Sequence, residues 1–306
     1  MGKCLVTKLN GAVSNKSLNK IGEIKLILKS SSDNKASLLV HGNVVITSDI
    51  AVRFEYPENR QEILTATQYD NSIRAGFPLQ VTVPLGSTAN ISITNKYELT
   101  RISVFPYQNE IDYAEFNLSQ LVFCKKLEML EVLPPAFNGD FLGSIDDLAG
   151  LGLTTLALYQ DGFEGCLNNF ANSSLQNISV QNNNKIFGDI AFLPNTIKKV
   201  HLLGNNFTGD IASFKNKTSI NTLNFNSPFI HGNIEELGNL INLSSVGFTD
   251  SQVTGAIETL CNRLLSAGKH DGTILFNIYR TGITFNGSTL QGQKRATFSS
   301  NNVSYS

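Results

Sequence analysis

The chain has little charge, no tryptophan and no long apolar run. Charged residues make up 16% of its 306 residues, whereas about 25% is usual for a globular protein. Lysine and arginine number 24 against 25 aspartates and glutamates, which gives a formal net charge of −1. Such a chain has no net field that would attract nucleic acid. It also lacks a stretch of about 18 apolar residues, so we expect no membrane insertion.

Motifs that carry chemistry are missing as well. The cysteines are too far apart for a CxxC pair, which excludes a zinc ribbon and favours reduced, buried thiols. None of the histidines has a second ligand at helical spacing, and no GxSxG, Walker or GxGxxG pattern is present. We therefore expect no enzyme, no catalytic residues, no cofactor and no metal. The cysteines and histidines concerned are Cys4, Cys124, Cys166, Cys261, His41, His201, His231 and His270.

The opening residues MGKCLVTKLNG contain no apolar segment of the kind that forms a secretory signal. The myristoylation pattern also fails, because Val6 stands where serine or threonine is needed. The sequence therefore predicts a protein kept on the cytosolic side of the membrane or exported by another route.

The second half of the chain repeats itself. Glycines that lie two residues after a bulky apolar residue and two before an aliphatic one recur at intervals of 22, 23, 21, 23 and 23 residues. Another apolar side chain follows each glycine by five positions. Regular self-similarity with this period is the signature of a solenoid. The glycines are Gly143, Gly165, Gly188, Gly209, Gly232 and Gly255.

A short apolar alternation precedes each glycine, which is typical of a strand with one buried face. The alternating pairs are Leu130 and Val132, Leu156 and Leu158, Ile178 and Val180, Val200 and Leu202, Leu223 and Phe225, Val246 and Phe248, and Ile274 and Phe276.

With these positions in phase, residues 127–282 resemble a leucine-rich repeat array. The resemblance implies a solenoid of about six to seven coils, because one coil cannot bury its apolar face alone. Residues 118–130 suit a first cap, and residues 258–269 are predicted to form a helix over the last coil, before a strand at 273–277. The family's inward asparagine after each strand is found at Asn183 and Asn205. Other residues replace it elsewhere, namely Asp161, Ser227 and Asp250.

Residues 1–105 show no such period and are predicted to form a small antiparallel sandwich or barrel. We expect it to serve docking or oligomerisation, because exposed edge strands favour pairing into a homo-oligomer. Residues 48–77 are less regular and suit a long loop or a short helix. The predicted domains are the β domain at 1–105, a linker and cap at 106–126, the solenoid at 127–282 and a polar tail at 283–306. Strands are predicted at 3–9, 23–29, 37–47, 52–57, 79–84, 90–95 and 99–105. The fold class is thus mainly β with some α.

The outward face of the solenoid strands is the predicted binding surface. It is nearly free of charge and rich in amide and hydroxyl groups, which suits a protein or glycan partner. A face that contacts only solvent is the alternative. Strands about 4.8 Å apart would place Tyr159, Gln181, Leu203 and Asn226 in one row and Ala157, Ser179, His201 and Asn224 in another. The candidate binding residues are Tyr159, Gln181, His201, Leu203, Asn224 and Asn226.

Three functions fit these patterns. The opening residues resemble phage and prophage proteins of gut Bacteroidetes, which implies a virion appendage whose β domain docks on an assembly and whose repeats face a host protein or glycan. The Asn-rich repeats also resemble those of bacterial cell-surface adhesins, which would need an export signal. A glycan-active enzyme with a repeat domain is the third possibility.

Overall fold

The fold is mainly β with one α-helix in the part of the chain that the structure describes. The structure is a computed structural model. The chain divides into two compact units, residues 1–166 and residues 167–306. The described residues are 24–29, 34–42, 45–48, 51–55, 61–65, 69–70, 79–83, 88–94, 96–106, 113–132, 138–159, 162–204, 206–286, 296–299 and 302–305.

The described residues of the first unit form fourteen strands. They are β1 Ile24–Lys29, β2 Asn34–Gly42, β3 Val45–Ser48, β4 Ala51–Glu55, β5 Gln61–Thr65, β6 Tyr69–Asp70, β7 Leu79–Val83, β8 Thr88–Thr94, β9 Leu99–Pro106, β10 Tyr113–Asn117, β11 Met129–Val132, β12 Asn138–Leu142, β13 Thr155–Leu158 and β14 Gly165–Cys166. Short 3-10 turns lie at Lys96–Glu98, Leu118–Leu121 and Ile145–Leu148.

All of these strands except β14 form two sheets. One has the order β12-β10-β1-β8-β3-β6, and within this unit the other runs β13-β11-β9-β2-β7-β4-β5. Pairing among β1 to β9 is antiparallel, as predicted for the first hundred residues. The expectation of a long loop or helix in residues 48–77 is wrong, because β4, β5 and β6 lie there. The strand predicted at 3–9 lies outside the described residues.

The first repeat-like coil begins earlier than the sequence pattern indicated. Strand β9 pairs in parallel with β11, and β10 pairs in parallel with β12. The side chain of Asn117 then accepts a hydrogen bond from the Ser119 amide and caps the following 3-10 turn. Residues 99–121 thus contain both strands and the turn of a coil, although they lack its glycine. Part of this segment was predicted to be a linker.

The second unit contains the remaining strands and the helix. They are β15 Asn177–Gln181, β16 Ile186–Asp189, β17 Lys199–Leu203, β18 Asn206–Asp210, β19 Thr222–Asn226, β20 Ile230–Asn233, β21 Ser245–Thr249, β22 Gln252–Ala256, helix α1 Ile257–Ser266, β23 Gly272–Tyr279, β24 Gly282–Thr284, β25 Ala296–Ser299 and β26 Asn302–Tyr305. Four 3-10 turns complete it, at Leu167–Phe170, Ile190–Phe192, Ile211–Phe214 and Ile234–Leu237.

Each coil of the second unit contributes one strand to each of two sheets. Strands β15, β17, β19, β21 and β23 are neighbours in that order and pair in parallel. The strands after each bend form the second sheet, with the order β16-β18-β20-β22-β24. The predicted helix at 258–269 and strand at 273–277 are confirmed as α1 and β23. The hairpin of β25 and β26 pairs antiparallel with β23.

The inward residues of the strands form the core. Leu156, Val180 and Leu202 are fully buried, and Phe225 is 1% exposed. In the second unit the ring of Phe225 stacks between those of Phe214 and Phe248, with centroid separations of 6.0 and 5.8 Å. The side chains of Cys124, Cys166 and Cys261 are also buried, as predicted. Burying apolar area from coil to coil is what stabilises such an array.

The phased glycines have a steric cause. Gly209 has a φ of +129°, which disfavours other residues. A Cβ atom on Gly209 would collide with Oδ1 of Asp189, the residue that caps the preceding turn by accepting from the Ala191 amide at 2.8 Å. A Cβ atom on Gly232 would collide with Oδ1 of Asp210 in the same way. Each coil thus needs a glycine because the cap of the coil before it occupies the space of a side chain.

Two buried polar side chains inside the coils are hydrogen-bonded to loop backbone. Asn183 is fully buried and its Oδ1 accepts from the amides of Lys185 and Ile186, which confirms its predicted inward role. The hydroxyl of Ser227 donates to the Phe207 carbonyl at 2.8 Å. Asp250, predicted to be inward, instead has a side chain 41% exposed at a φ of +49°. The next residue, Ser251, is the buried one. Asp161 and Asn205 lie outside the described residues.

Candidate functional site

The candidate surface of the second unit is the outward face of its first sheet. We define this outward face as the first, third and fifth residues of β15, β17, β19 and β21, together with Leu275, Asn277 and Tyr279 of β23. Pairing places these residues in three rows. The rows are Asn177, Lys199, Thr222, Ser245 and Leu275; Ser179, His201, Asn224, Gly247 and Asn277; and Gln181, Leu203, Asn226, Thr249 and Tyr279.

The predicted site residues of the second unit lie together in these rows. Gln181, Leu203 and Asn226 are in register in one row, and His201 and Asn224 are in register in the next. All five are partly exposed. The sixth predicted residue, Tyr159, follows β13 in the first unit and is half-buried. A role for these residues in binding stays a prediction.

A polar cluster occupies the middle of the outward face. His201 Nδ1 lies 3.4 Å from Asn224 Nδ2, so a neutral imidazole accepts a hydrogen bond there. Burial, with a smaller contribution from the nearby charge of Lys199, lowers the pKa of His201 below 6.5. The carboxamide of Asn224 extends over Gly247, where a Cβ would collide with it. The sequence favoured a solvated surface histidine, but His201 is half-buried and hydrogen-bonded to Asn224.

Charge is scarce on the outward face, as predicted. Lys199 is the one formally charged side chain among its three rows. The other polar groups are amides, hydroxyls and one imidazole. Amides and hydroxyls both donate and accept hydrogen bonds, so they can pair with peptide groups as readily as with water.

A second cluster lies where β23 ends, and the sequence analysis missed it. Tyr279 is 55% exposed, and the guanidinium carbon of Arg280 lies 4.9 Å from the centre of its ring. Arg280 Nη1 also donates to Asp250 Oδ1 at 3.3 Å. Arg280 has a φ of +51°, a conformation that costs a non-glycine residue about 1 kcal/mol. The alternation of Leu275 and Tyr279 with Ile274 and Phe276 could have revealed this cluster.

The repeat strands of the first unit carry a different network. Arg101 Nη2 donates to Glu131 Oε2 at 2.9 Å, and its Nε donates to the hydroxyl of Ser103 at 3.1 Å. That hydroxyl donates in turn to the same carboxylate oxygen at 2.5 Å. Ser103 is 1% exposed. Here the three side chains are hydrogen-bonded to one another.

Other polar features of the described residues support structural roles. A shallow groove of about 450 Å³ lies between helix α1 and the 3-10 turn Ile234–Leu237 and holds the ion pair of Arg263 and Glu235. Lys217 donates to the Leu193 carbonyl, and burial lowers the pKa of this lysine. No three His, Cys, Asp or Glu side chains of the described residues are grouped so that they could hold a metal. Within the same residues, no helix has the length and hydropathy to cross a bilayer.

In both units the coils combine in-register parallel strands, apolar inward residues and a turn at a phased glycine. These are the features predicted from the sequence. The repeat coils have the leucine-rich-repeat fold. The predicted fold class and the resemblance to leucine-rich-repeat proteins are therefore confirmed.

Two solved structures are similar to this chain over part of its length. One similar solved structure is the leucine-rich-repeat ectodomain of the plant membrane receptor kinase GASSHO1/SCHENGEN3 from Arabidopsis thaliana, in complex with CASPARIAN STRIP INTEGRITY FACTOR 2. It is 18% identical with a TM-score of 0.39, and the match covers 56% of this chain and 20% of the receptor chain. A leucine-rich-repeat protein of Leptospira interrogans is 15% identical with a TM-score of 0.40, over 58% of this chain and 44% of that one.

The chain thus spans less than half the length of either protein. No protein-family model matches the sequence, and neither does any curated protein.

Proposed function

We propose that the protein is a binding module that recognises a polypeptide partner on the outward face of its second unit. The observation that carries the proposal is the set of partly exposed amide, hydroxyl and imidazole groups held in three straight rows by parallel pairing. Rigid strands hold these groups in place, which lowers the entropy lost on binding.

Polar chemistry favours a polypeptide over a charged polymer. A bound segment must pair its own backbone N–H and C=O groups, and the carboxamides of Gln181, Asn224 and Asn226 can do both. The face holds only one formal charge, Lys199, so a polyphosphate would gain little from it. The absence of a predicted catalytic motif favours a role without chemistry.

For the biological setting we propose a phage virion appendage, whose β domain at residues 1–105 docks on an assembly and whose repeats present the recognition surface. The resemblance of the opening residues to phage proteins supports this setting. A bacterial cell-surface adhesin and a glycan-active enzyme are the alternatives. Neighbouring genes for capsid, portal or tail proteins would support the virion, a longer native precursor with an export signal would support the adhesin, and hydrolysis of a glycan panel would support the enzyme.

Peptide retention tests the binding function. The immobilised full chain is incubated with a random octapeptide pool, and mass spectrometry identifies the retained peptides. We expect the wild type to retain a defined subset, and the double variant Asn224→Ala, Asn226→Ala to lose most of it. A matched variant on the second sheet, Asn206→Ala with Thr208→Ala, should retain the subset because both residues are exposed there.

Two results would contradict the function. One is retention that does not change in the outward-face variant. The other is selective retention of glycans from an array with no selection among peptides, which would make a glycan the partner of this face.

A further inference from the structure

The last repeat strand presents unusually large apolar side chains to solvent. Leu275 is 47% exposed and Tyr279 is 55% exposed, and both lie on the outward face because Ile274 and Phe276, at the alternate positions of the strand, are buried. The partner positions on the neighbouring strand, Ser245 and Thr249, are small and polar. Large apolar side chains exposed together mark sites of interaction more often than single ones do.

Arg280 follows directly and is held in a defined position. Its backbone is left-handed, its guanidinium lies on the Tyr279 ring, and one N–H group is taken by Asp250. A guanidinium has five N–H donors, and this side chain remains 66% exposed. Glycine would occupy the same backbone conformation without strain. The backbone conformation therefore does not explain an arginine at this position, whereas a binding role of its side chain would.

We propose that Tyr279 and Arg280 form the anchor of a binding site for an extended peptide that carries a carboxylate next to an apolar side chain. This inference rests on the proposed function, because it specifies the partner of the same face. It adds two residues that lie at the edge of the predicted surface and gives the ligand a chemistry.

Charge complementarity indicates that the bound peptide carries a carboxylate. Among the described residues, the charged side chains in the three rows and directly after their strands are Lys199, Asp250 and Arg280, so the charge there is net positive. A guanidinium whose planar fork is partly free binds carboxylates through paired, charge-assisted hydrogen bonds. Stacking on an aromatic ring holds the fork in one plane and reduces the entropy lost on binding.

The spacing of the two anchors defines the peptide. The guanidinium carbon lies 4.9 Å from the centre of the tyrosine ring. In an extended chain, residues i and i+2 point to the same side about 6.6 Å apart. An Asp-X-Phe segment can therefore place its carboxylate on Arg280 and its ring beside Tyr279. Thr249 and Asn226, the next residues of the row, can pair with its backbone.

Three octapeptide pools test the anchor with the full chain immobilised. The pools share random flanks and have Asp-X-Phe, Asn-X-Phe or Asp-X-Ser at the centre. We expect the wild type to retain the Asp-X-Phe pool best. Arg280→Gly and Tyr279→Ser should each reduce that retention by at least about tenfold, the size of a modest hot spot. Arg280→Lys should fall between, because it keeps the charge and loses the fork.

A matched control removes backbone strain without touching the anchor. Asn182 has a φ of +52° after another strand of the same sheet, so Asn182→Gly relaxes the same conformation elsewhere. We expect it to retain peptides as the wild type does. For both glycine variants the midpoint of thermal unfolding should be unchanged or higher, which would show that Arg280→Gly loses binding and not its fold.

The outcomes separate the two proposals. Equal retention of the Asp-X-Phe and Asn-X-Phe pools, or full retention by Arg280→Gly, would overturn the anchor. If the Asn224 and Asn226 double variant still lost binding in that case, the function proposed for the outward face would stand. Retention unaffected by all of these variants would overturn both proposals.

Discussion

The repeat strands of the two units use their outward positions in opposite ways. In the first unit, Arg101, Ser103 and Glu131 bond to one another across two strands. In the second unit, Lys199 makes no ion pair within the described residues, and Tyr279 and Leu275 are about half exposed. The same strand architecture thus presents one face built around a partly buried ion pair and one built mainly of amides, hydroxyls and exposed apolar side chains.

The difference shows how a repeat fold separates stability from recognition. Inward positions must stay apolar in every coil, because each coil seals its neighbour. Outward positions are under no such constraint. Their side chains can either form pairs within the protein or contact a binding partner. Function is therefore expected where the rows of outward side chains are exposed to solvent and are not held in an internal ion pair, which favours the second unit.

The largest effect on stability is expected from comparing a buried and an outward position on the same strand, β17. Leu202→Asp puts an unpaired carboxylate at a fully buried position, and burying such a charge costs several kcal/mol. Leu203→Asp makes the same change one residue later on the outward face, where less than about 1 kcal/mol is expected. Urea unfolding of both variants measures the difference. Equal losses of stability would mean that the outward face is not free to vary.

An intermediate effect compares the two units directly. Glu131→Ala removes the acceptor shared by Arg101 and the buried hydroxyl of Ser103, and leaving such a buried group unpaired costs about 1–3 kcal/mol. Asn224→Ala in the second unit should change the free energy of unfolding by less than about 0.5 kcal/mol. If Asn224→Ala were the more destabilising of the two, the second unit's face would be structural, contrary to the comparison.

The periodic part of the fold could be predicted because one physical constraint repeats. Each glycine is needed where the cap of the preceding coil fills the space above it, as Asp189 does at Gly209. The same reasoning explains what was missed. The turn that begins at Leu118 follows the first coil, which has no earlier cap beneath it, so Phe116 can stand where later coils need glycine. Without that signal, the coil was assigned to the β domain and a linker.

The site was predictable only in part, for a related reason. Strand alternation placed His201 and Asn224 on one face, and the structure brings them within 3.4 Å. Contacts between residues far apart in sequence left no such pattern: Arg101 and Glu131 are paired across 30 positions. The cluster at Tyr279 was overlooked because the strand was predicted to end at residue 277, whereas β23 continues to Tyr279.

The smallest expected effect is the dependence of stability on pH that His201 causes in the second unit. His201 has a pKa lowered in the folded state, first by burial and then by Lys199. As pH falls through 6.5, the unfolded chain therefore binds a proton before the folded one does, and stability declines from there toward the folded pKa. We expect His201→Gln to lose less stability than the wild type between pH 7 and pH 5, as measured by urea unfolding at both pH values. Other groups titrate equally in the two proteins, so the difference isolates this imidazole. Parallel pH profiles would mean that His201 is as solvated in the folded chain as in the unfolded one, and that the centre of the outward face is more open than its contact with Asn224 indicates.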